Sequence, residues 1–365
     1  MSYRVVALLF LLTITFTGCE DEHELQSAGD MLFLRHRGAS MPVLVRGNTD
    51  SDVILLVVHG GAGGTAEAHI EDFNSFVEEE YAVAYWDQRH AGSAQGSFDK
   101  EDLTIDQMAE DMAYVIRLLK HRYGADKKVF AWGHSWGVIL GTWFLITQDQ
   151  NLLEGFLASN GSHSATVEYQ ARIDYVKTFT QEMIDQGSSF SSFEVEGQTF
   201  TSLEQVINWA EANDPIESYS QLAILNRLVE VVKDYVLITY VQDSDNPDLI
   251  SAPERLFQSP YNPLATFANL LRTGQLINNF NDQTSIQEFY DFSPLMDRIT
   301  LPVALLWGGY DNIIGVPVAE DYYQQIATPE DDKRLIIYER SEHNPQFIEN
   351  VKFSQDVIDF IEQYR

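Results

Sequence analysis

The chain has 365 residues, 45% of them hydrophobic, which is enough for a sizeable core and an inserted subdomain. A formal net charge of −32 argues against a nucleic-acid partner, whose phosphates it would repel, and against docking on anionic lipid through a basic patch. The acidity suits either attraction of cationic substrates or the solubility of an exported protein. A single cysteine excludes an internal disulfide. With no repeat, low-complexity stretch or metal-ligand cluster in view, no metal or other cofactor is expected.

In chain order, the first segment reads as an export signal. Arg4 precedes an apolar stretch of 12 residues (5–16), too short to span a bilayer comfortably, and Thr-Gly-Cys follows at 17–19. Cys19, the lone cysteine, stands just after a small residue at the end of this signal core. The arrangement resembles a bacterial lipobox, with Phe16 where leucine is more usual. That resemblance implies a leader at 1–18, cleavage before Cys19 and a diacylglyceryl anchor on its sulfur. The anchor would be this protein's contact with a membrane. Ordinary secretion after nearby cleavage is the alternative. The acidic stretch at 19–29 reads as a solvated tether.

From residue 30 the pattern becomes that of a folded domain. Residues 31–38 and 41–48 alternate as an antiparallel pair. The six apolar residues of 53–58 predict a buried central strand, ending in the glycine-rich loop HGGAGG at 59–64. A helix over 66–79 and a strand over 81–89 follow. Residues 104–124 are the clearest helix: Thr104 and Gln107 form a capping box, and Ile105, Met108, Met112, Ile116 and Leu119 make its apolar stripe. Lys120, His121 and Arg122 sit at its negative end, and Gly124 stops it. A strand at 127–134, a helix at 136–146 and a strand at 152–160 come next. Strands alternating with helices predict a mostly parallel sheet covered on both faces.

Between 162 and 292 the alternation stops, and three helical segments with apolar faces predict a cap or lid. The core would then be 30–161 and 293–365. Among the cap's aromatics, Tyr175, Phe179, Trp209, Tyr219 and Tyr235 are available either to pack helix on helix or to line a pocket. Beyond the cap, 301–312 is an apolar strand whose turn presents Asp311, and 333–345 delivers His343 to a loop.

The chemistry centres on GHSWG at 133–137. Ser135 falls at a sharp strand-to-helix turn, where flanking glycines avoid clashes and the hydroxyl is pushed out toward helix amides. The order Ser135, Asp311, His343 is the chain order of α/β-hydrolase triads, nucleophile first and base last. The amides of Gly61 and Trp136 are the candidate oxyanion hole. His59 is expected to fix the glycine loop, His134 to point away from Ser135, and Asp87 and Arg89 to brace a loop as an ion pair.

At these residues the chain resembles the α/β-hydrolase superfamily and, within it, the proline iminopeptidase (prolyl aminopeptidase) group. The resemblance rests on HGGAGG, WDQRHAG at 86–92, GHSWG, GGYD at 308–311 and SEH at 341–343. It departs from the group's pattern at Ala62, which stands for proline, and at His90, His134 and Glu342, which stand for glycines. It implies an α/β-hydrolase fold with an inserted helical cap and serine hydrolysis of an amide or ester. The sharpest form is an exported aminopeptidase acting on short peptides. Such an enzyme needs cap carboxylates for the substrate's ammonium, and Glu182, Glu204, Glu211 and Glu217 are candidates. An esterase of small carboxylic esters, or a non-catalytic lipoprotein binding a small ligand on the same scaffold, are the alternatives. The particular substrate, the substrate-binding residues and the oligomeric state are not fixed by the sequence.

Overall fold

A computed structural model describes residues 29–61, 63–73, 75–96, 102–246 and 290–365. The leader, Cys19, all but the last residue of the tether, Ala62 and residues 247–289 of the expected cap lie outside the described set. The strands are β1 (Asp30–His36), β2 (Ala39–Gly47), β3 (Val53–Val58), β4 (Ala82–Trp86), β5 (Gln95–Gly96), β6 (Lys128–His134), β7 (Gly155–Ser159), β8 (Phe193–Val195), β9 (Gln198–Phe200), β10 (Val303–Gly308) and β11 (Lys333–Tyr338). The longer helices are α1 (Ile105–Tyr123), α2 (Trp136–Thr147), α3 (Ala165–Asp185), α4 (Leu203–Ala212), α5 (Tyr219–Tyr240), α6 (Val316–Gln325) and α7 (Asn350–Tyr364).

Nine strands form one sheet in the order β1-β2-β4-β3-β6-β7-β10-β11, with β5 beside β2. β1 and β2 are antiparallel, as is β2 with β4; from β4 to β11 every pairing is parallel. The strand order reverses at β3, whose neighbours are β4 on one side and β6 on the other. In open parallel sheets a crevice forms at such a point, beyond the carboxyl ends of the strands. The loops that leave β3 and β6 are the glycine loop and the turn at Ser135.

Burial explains why β3 reads as a continuous apolar run. Ile54, Leu56 and Val58 enter one core cluster, and Val53, Leu55 and Val57 enter the other, across the sheet. α1, α2 and α6 cover the first face, and α7 with the short turns Ile70–Phe73 and Val77–Glu80 covers the second. α1 follows its pattern: all five stripe residues are buried, and Thr104 Oγ1 accepts the Gln107 amide at 3.2 Å. The reciprocal half of the capping box does not form, because Gln107 Nε2 turns inward to Asp111 Oδ1 at 3.2 Å. α2 is apolar on every face and buried along most of its length, the signature of a helix enclosed on all sides.

The expected helix over 66–79 is instead broken. A 3₁₀ turn (Ala66–His69) and two four-residue turns replace it, yet Ala66, Ile70, Phe73 and Val77 keep a helical spacing and are all buried. In the region after Gly161, α3, α4 and α5 share a small core of Tyr175, Met183, Leu203, Val232 and Val236. β8 and β9 add a hairpin there, turned at Glu196 and Gly197, both at positive φ. The chain enters and returns side by side: Ala165 N donates to Tyr290 O and Phe292 N to His163 O, both at 2.8 Å.

Candidate active site

Ser135 has φ 53° and ψ −117°, a conformation that costs a non-glycine residue on the order of 1–3 kcal/mol. The flanking glycines make the turn possible. A Cβ on Gly137 would collide with the Val58 carbonyl, and one on Gly133 would lie 2.7 Å from Gly137 O. Gly60 packs against the turn from the other side, since a Cβ there would sit 3.1 Å from Ser135 Cβ. The half-buried Ser135 thus stands in the crevice between the two loops.

Asp311 leaves the end of β10 and His343 the loop after β11. His343 Nδ1 donates to Asp311 Oδ2 at 2.8 Å. The same oxygen accepts Asn160 Nδ2 at 2.7 Å, while Oδ1 accepts the amides of Ile313 and Ile314 at 2.8 and 3.0 Å. Four donors therefore hold a buried carboxylate in one orientation. Burial pushes the His343 pKa down, but the charge and hydrogen bond of Asp311, with the charges of Glu342 and Glu168, outweigh it and leave the imidazole above its ordinary value. Among the described residues, no hydrogen bond joins Ser135 Oγ to His343. Contacts of this kind are often long without substrate.

The glycine loop is held from beneath. His59 Nδ1 donates to Gly60 O at 2.9 Å, and its Nε2 accepts the Gln88 amide at 3.2 Å, which fixes one neutral tautomer. Burial lowers the His59 pKa to about 4. Gln88 continues the brace: its Nε2 donates to His59 O at 3.0 Å, and its Oε1 accepts Trp136 Nε1 at 3.0 Å. One buried amide thereby links the loop bearing Gly61 to the first residue of α2. Gly61 itself is exposed, at φ 51°, in a turn closed by Gly64 N to Gly61 O.

Asp87 and Arg89 do not pair with each other. Asp87 Oδ1 accepts Thr65 Oγ1 and the Ala66 amide at 3.0 and 2.9 Å, and Oδ2 accepts the Ser93 amide. Burial outweighs these bonds and raises its pKa to about 6. Arg89 instead grips Asp111 of α1 through Nε and Nη2 at 2.8 and 2.9 Å, with both side chains fully buried. The two residues brace different loops because their partners come from different elements. His90 adopts φ 61°, which explains why glycine suits that position.

Three residues of α3, Glu168, Tyr175 and Phe179, reach this edge. Glu168 is loosely held, by Tyr290 OH at 3.4 Å and Arg172 Nη1 at 3.9 Å. Burial raises its pKa to about 7, and it feels the charges of Asp311 and His343. Tyr175 likewise feels Asp311 and Glu342. Phe179 and Tyr240 pack against Tyr310, the latter stacked at 4.7 Å. Of the four glutamates singled out by sequence, Glu182 is engaged by the hydroxyls of Tyr235 and Tyr240, and Glu204, Glu211 and Glu217 are exposed. Trp209 is buried in the core and Tyr219 is exposed. Asn160, Gln88 and Glu168 are the polar neighbours that the sequence reading did not single out. Gln88 lies within the quoted WDQRHAG segment, but neither Asn160 nor Glu168 carries a local signal.

The switch-point crevice, the strained turn and the Asp311–His343 pair occur on a sheet whose family the sequence over most of the chain identifies. Residues 53–350 match the α/β hydrolase fold family, and the chain belongs to it. It is 23% identical to the probable aminopeptidase YbaC of Bacillus subtilis (strain 168) over 317 residues, 86% of this chain and 90% of that one. It is also 23% identical over 320 residues to a proline iminopeptidase of Saccharolobus solfataricus (strain ATCC 35092 / DSM 1617 / JCM 11322 / P2), covering 85% and 84% of the two chains. The crystal structure of the proline iminopeptidase of Mycobacterium smegmatis matches with a TM-score of 0.58 over 92% of this chain and 98% of that one. At 14% identity that likeness shows the fold alone.

Proposed function

We propose that this α/β hydrolase is an exported serine aminopeptidase acting on short peptides. Ser135 Oγ attacks the carbonyl of the first residue while His343 Nε2 takes its proton. Asp311 holds the His343 tautomer and stabilises the imidazolium. The amides of Gly61 and Trp136 receive the oxyanion. His343 then returns the proton to the leaving amine, and water, activated by the same imidazole, hydrolyses the acyl-enzyme.

The observation that carries the aminopeptidase reading is Glu168. It is a largely buried carboxylate on the cap-side helix, electrostatically coupled to Asp311 and His343 and held only by two long contacts. A substrate ammonium beside it would restore the charge that burial disfavours. The names of the relatives from Bacillus subtilis and Saccharolobus solfataricus agree with this reading. Aminoacyl 4-nitroanilides of proline and alanine, their N-acetylated forms and short-chain nitrophenyl esters test it. Free-amine substrates should be cleaved, N-acetylation should cost about 100-fold or more, and Glu168→Gln should raise KM for free amines chiefly. Turnover of esters alone, indifferent to an ammonium group, would make the protein an esterase.

Export and anchoring belong to the same proposal. Cleavage before Cys19 with lipidation of its sulfur would tether the enzyme to a bacterial membrane, since two or more acyl chains give stable attachment. Mass spectrometry of the mature N-terminus tests this. A chain starting elsewhere, or at Cys19 without lipid mass in a competent host, would mean simple secretion.

A further inference from the structure

His134 precedes Ser135 directly in sequence and stands where the resembled group has glycine. Its side chain turns away from the nucleophile and under the loop of His343. His134 Nε2 lies 2.9 Å from the backbone carbonyl oxygen of His343. A carbonyl only accepts, so Nε2 carries the hydrogen, and a neutral imidazole then leaves Nδ1 bare. That Nδ1 faces Gly60, where a Cβ would approach it to 2.9 Å. The small residue at 60 therefore makes room for the large one at 134.

The ring is fixed on several sides. It stacks on Trp132 at 5.7 Å with planes 16° apart, and lies 5.5 Å from His69 and 5.0 Å from the His343 ring. His69 is itself anchored by Asp72 at 2.9 Å and set edge-on to Trp132 at 4.9 Å. Burial, then the neighbouring His343 and His69, keep His134 well below the ordinary histidine range. The neutral ring is therefore the favoured form, and its Nε2–H is the donor toward the His343 carbonyl.

We propose that His134 is a positioning residue that ties the backbone of the base, His343, to the backbone of the nucleophile, Ser135. The other anchors of the His343 loop come from elsewhere. Asp311 holds its ring, Glu349 accepts the Arg340 amide and the Ser341 hydroxyl, and Gly308 lies tightly under the Glu342 carbonyl. None of these begins at the Ser135 turn. The His134 bond does, and it sets the separation across which the proton of Ser135 must pass.

This rests on the reading of Ser135 and His343 as nucleophile and base, and a fluorophosphonate probe separates the two claims without needing the substrate. If folded wild-type protein fails to label at Ser135, that underlying reading fails. With the wild type labelling, His134→Phe keeps an aromatic ring of similar size but loses the donor. We expect its maximal inactivation rate to fall roughly ten- to a hundredfold, since a buried carbonyl is left unpaired. The concentration for half-maximal inactivation should change less than twofold. His134→Gln, which returns an N–H near the position of Nε2, should recover most of the rate. An unchanged rate in His134→Phe, or equal loss in both variants, would overturn the proposal. Should either variant not fold, nitrogen NMR of histidine-labelled wild type decides: a His134 that keeps the Nε2–H tautomer unchanged from pH 5 to 8 supports it, and one that titrates or carries Nδ1–H overturns it.

Discussion

Asn160 donates from Nδ2 to Asp311 Oδ2 at 2.7 Å, the same oxygen that accepts His343 Nδ1 at 2.8 Å. The residue just after β7 therefore shares with the base the task of orienting the acid. Asn160 sits at φ 50°, which asparagine tolerates better than most side chains. Asn160→Ala should lower kcat roughly ten- to a hundredfold, the worth of a hydrogen bond to a charged group. Asn160→Asp should be worse, because a second carboxylate would then face Asp311. Steady-state rates for the two variants test this, and wild-type kcat in Asn160→Ala would remove Asn160 from the site.

The strained turn makes a stability prediction of unusual sign. Ser135→Gly should lose turnover by on the order of 10⁴-fold or more, yet unfold at higher urea. Relief of backbone strain typically gains about 1 kcal/mol. A Ser135→Gly protein less stable than wild type would show that the turn is not strained in solution.

The pH profile follows from the surroundings of His343. Only the neutral imidazole acts as base, so kcat/KM should rise with pH. Burial opposes the charged form, but Asp311, Glu342 and Glu168 favour it more, so the midpoint should lie above the ordinary value of about 6.5. Glu342→Gln removes one of those favourable charges and should move the midpoint down. A limb at or below 6.5 in wild type, or an upward shift in Glu342→Gln, would contradict this.

The buried Arg89–Asp111 pair should be costly to break from one side. Asp111 also receives His36 Nδ1 at 2.7 Å, so its carboxylate joins the opening hairpin to α1. Arg89→Met should destabilise the fold by roughly 3–5 kcal/mol, because the buried Asp111 carboxylate loses its guanidinium partner. Equilibrium urea unfolding measures it. A loss under about 1 kcal/mol, small beside the 3–5 expected of a buried pair, would mean that water already reaches the pair.

Much of this architecture was legible in the sequence because its signals are local. The apolar runs at 53–58 and 303–308 are strands buried on both faces, and the chain's punctuation by glycine marks where each ends. The same locality put Ser135, Asp311 and His343 after strands, and parallel pairing then carries all three to one edge. What was illegible depends on partners distant in sequence. The spacing of Ala66, Ile70, Phe73 and Val77 is helical whether or not the backbone between them breaks. Asp87 and Arg89 stand two apart, but Arg89 is claimed by Asp111, which lies on α1. Asn160 and Glu168 look like any strand-end amide and any helix acid until the fold sets them beside Asp311.

The most direct test is whether Ser135 is the nucleophile. Purified, folded protein should be treated with a fluorophosphonate and the labelled peptide mapped by mass spectrometry. The expected result is stoichiometric modification of Ser135, abolished in Ser135→Ala and slowed when pH falls below the His343 midpoint. Labelling that persists in Ser135→Ala, or none on folded wild-type protein, would contradict the account.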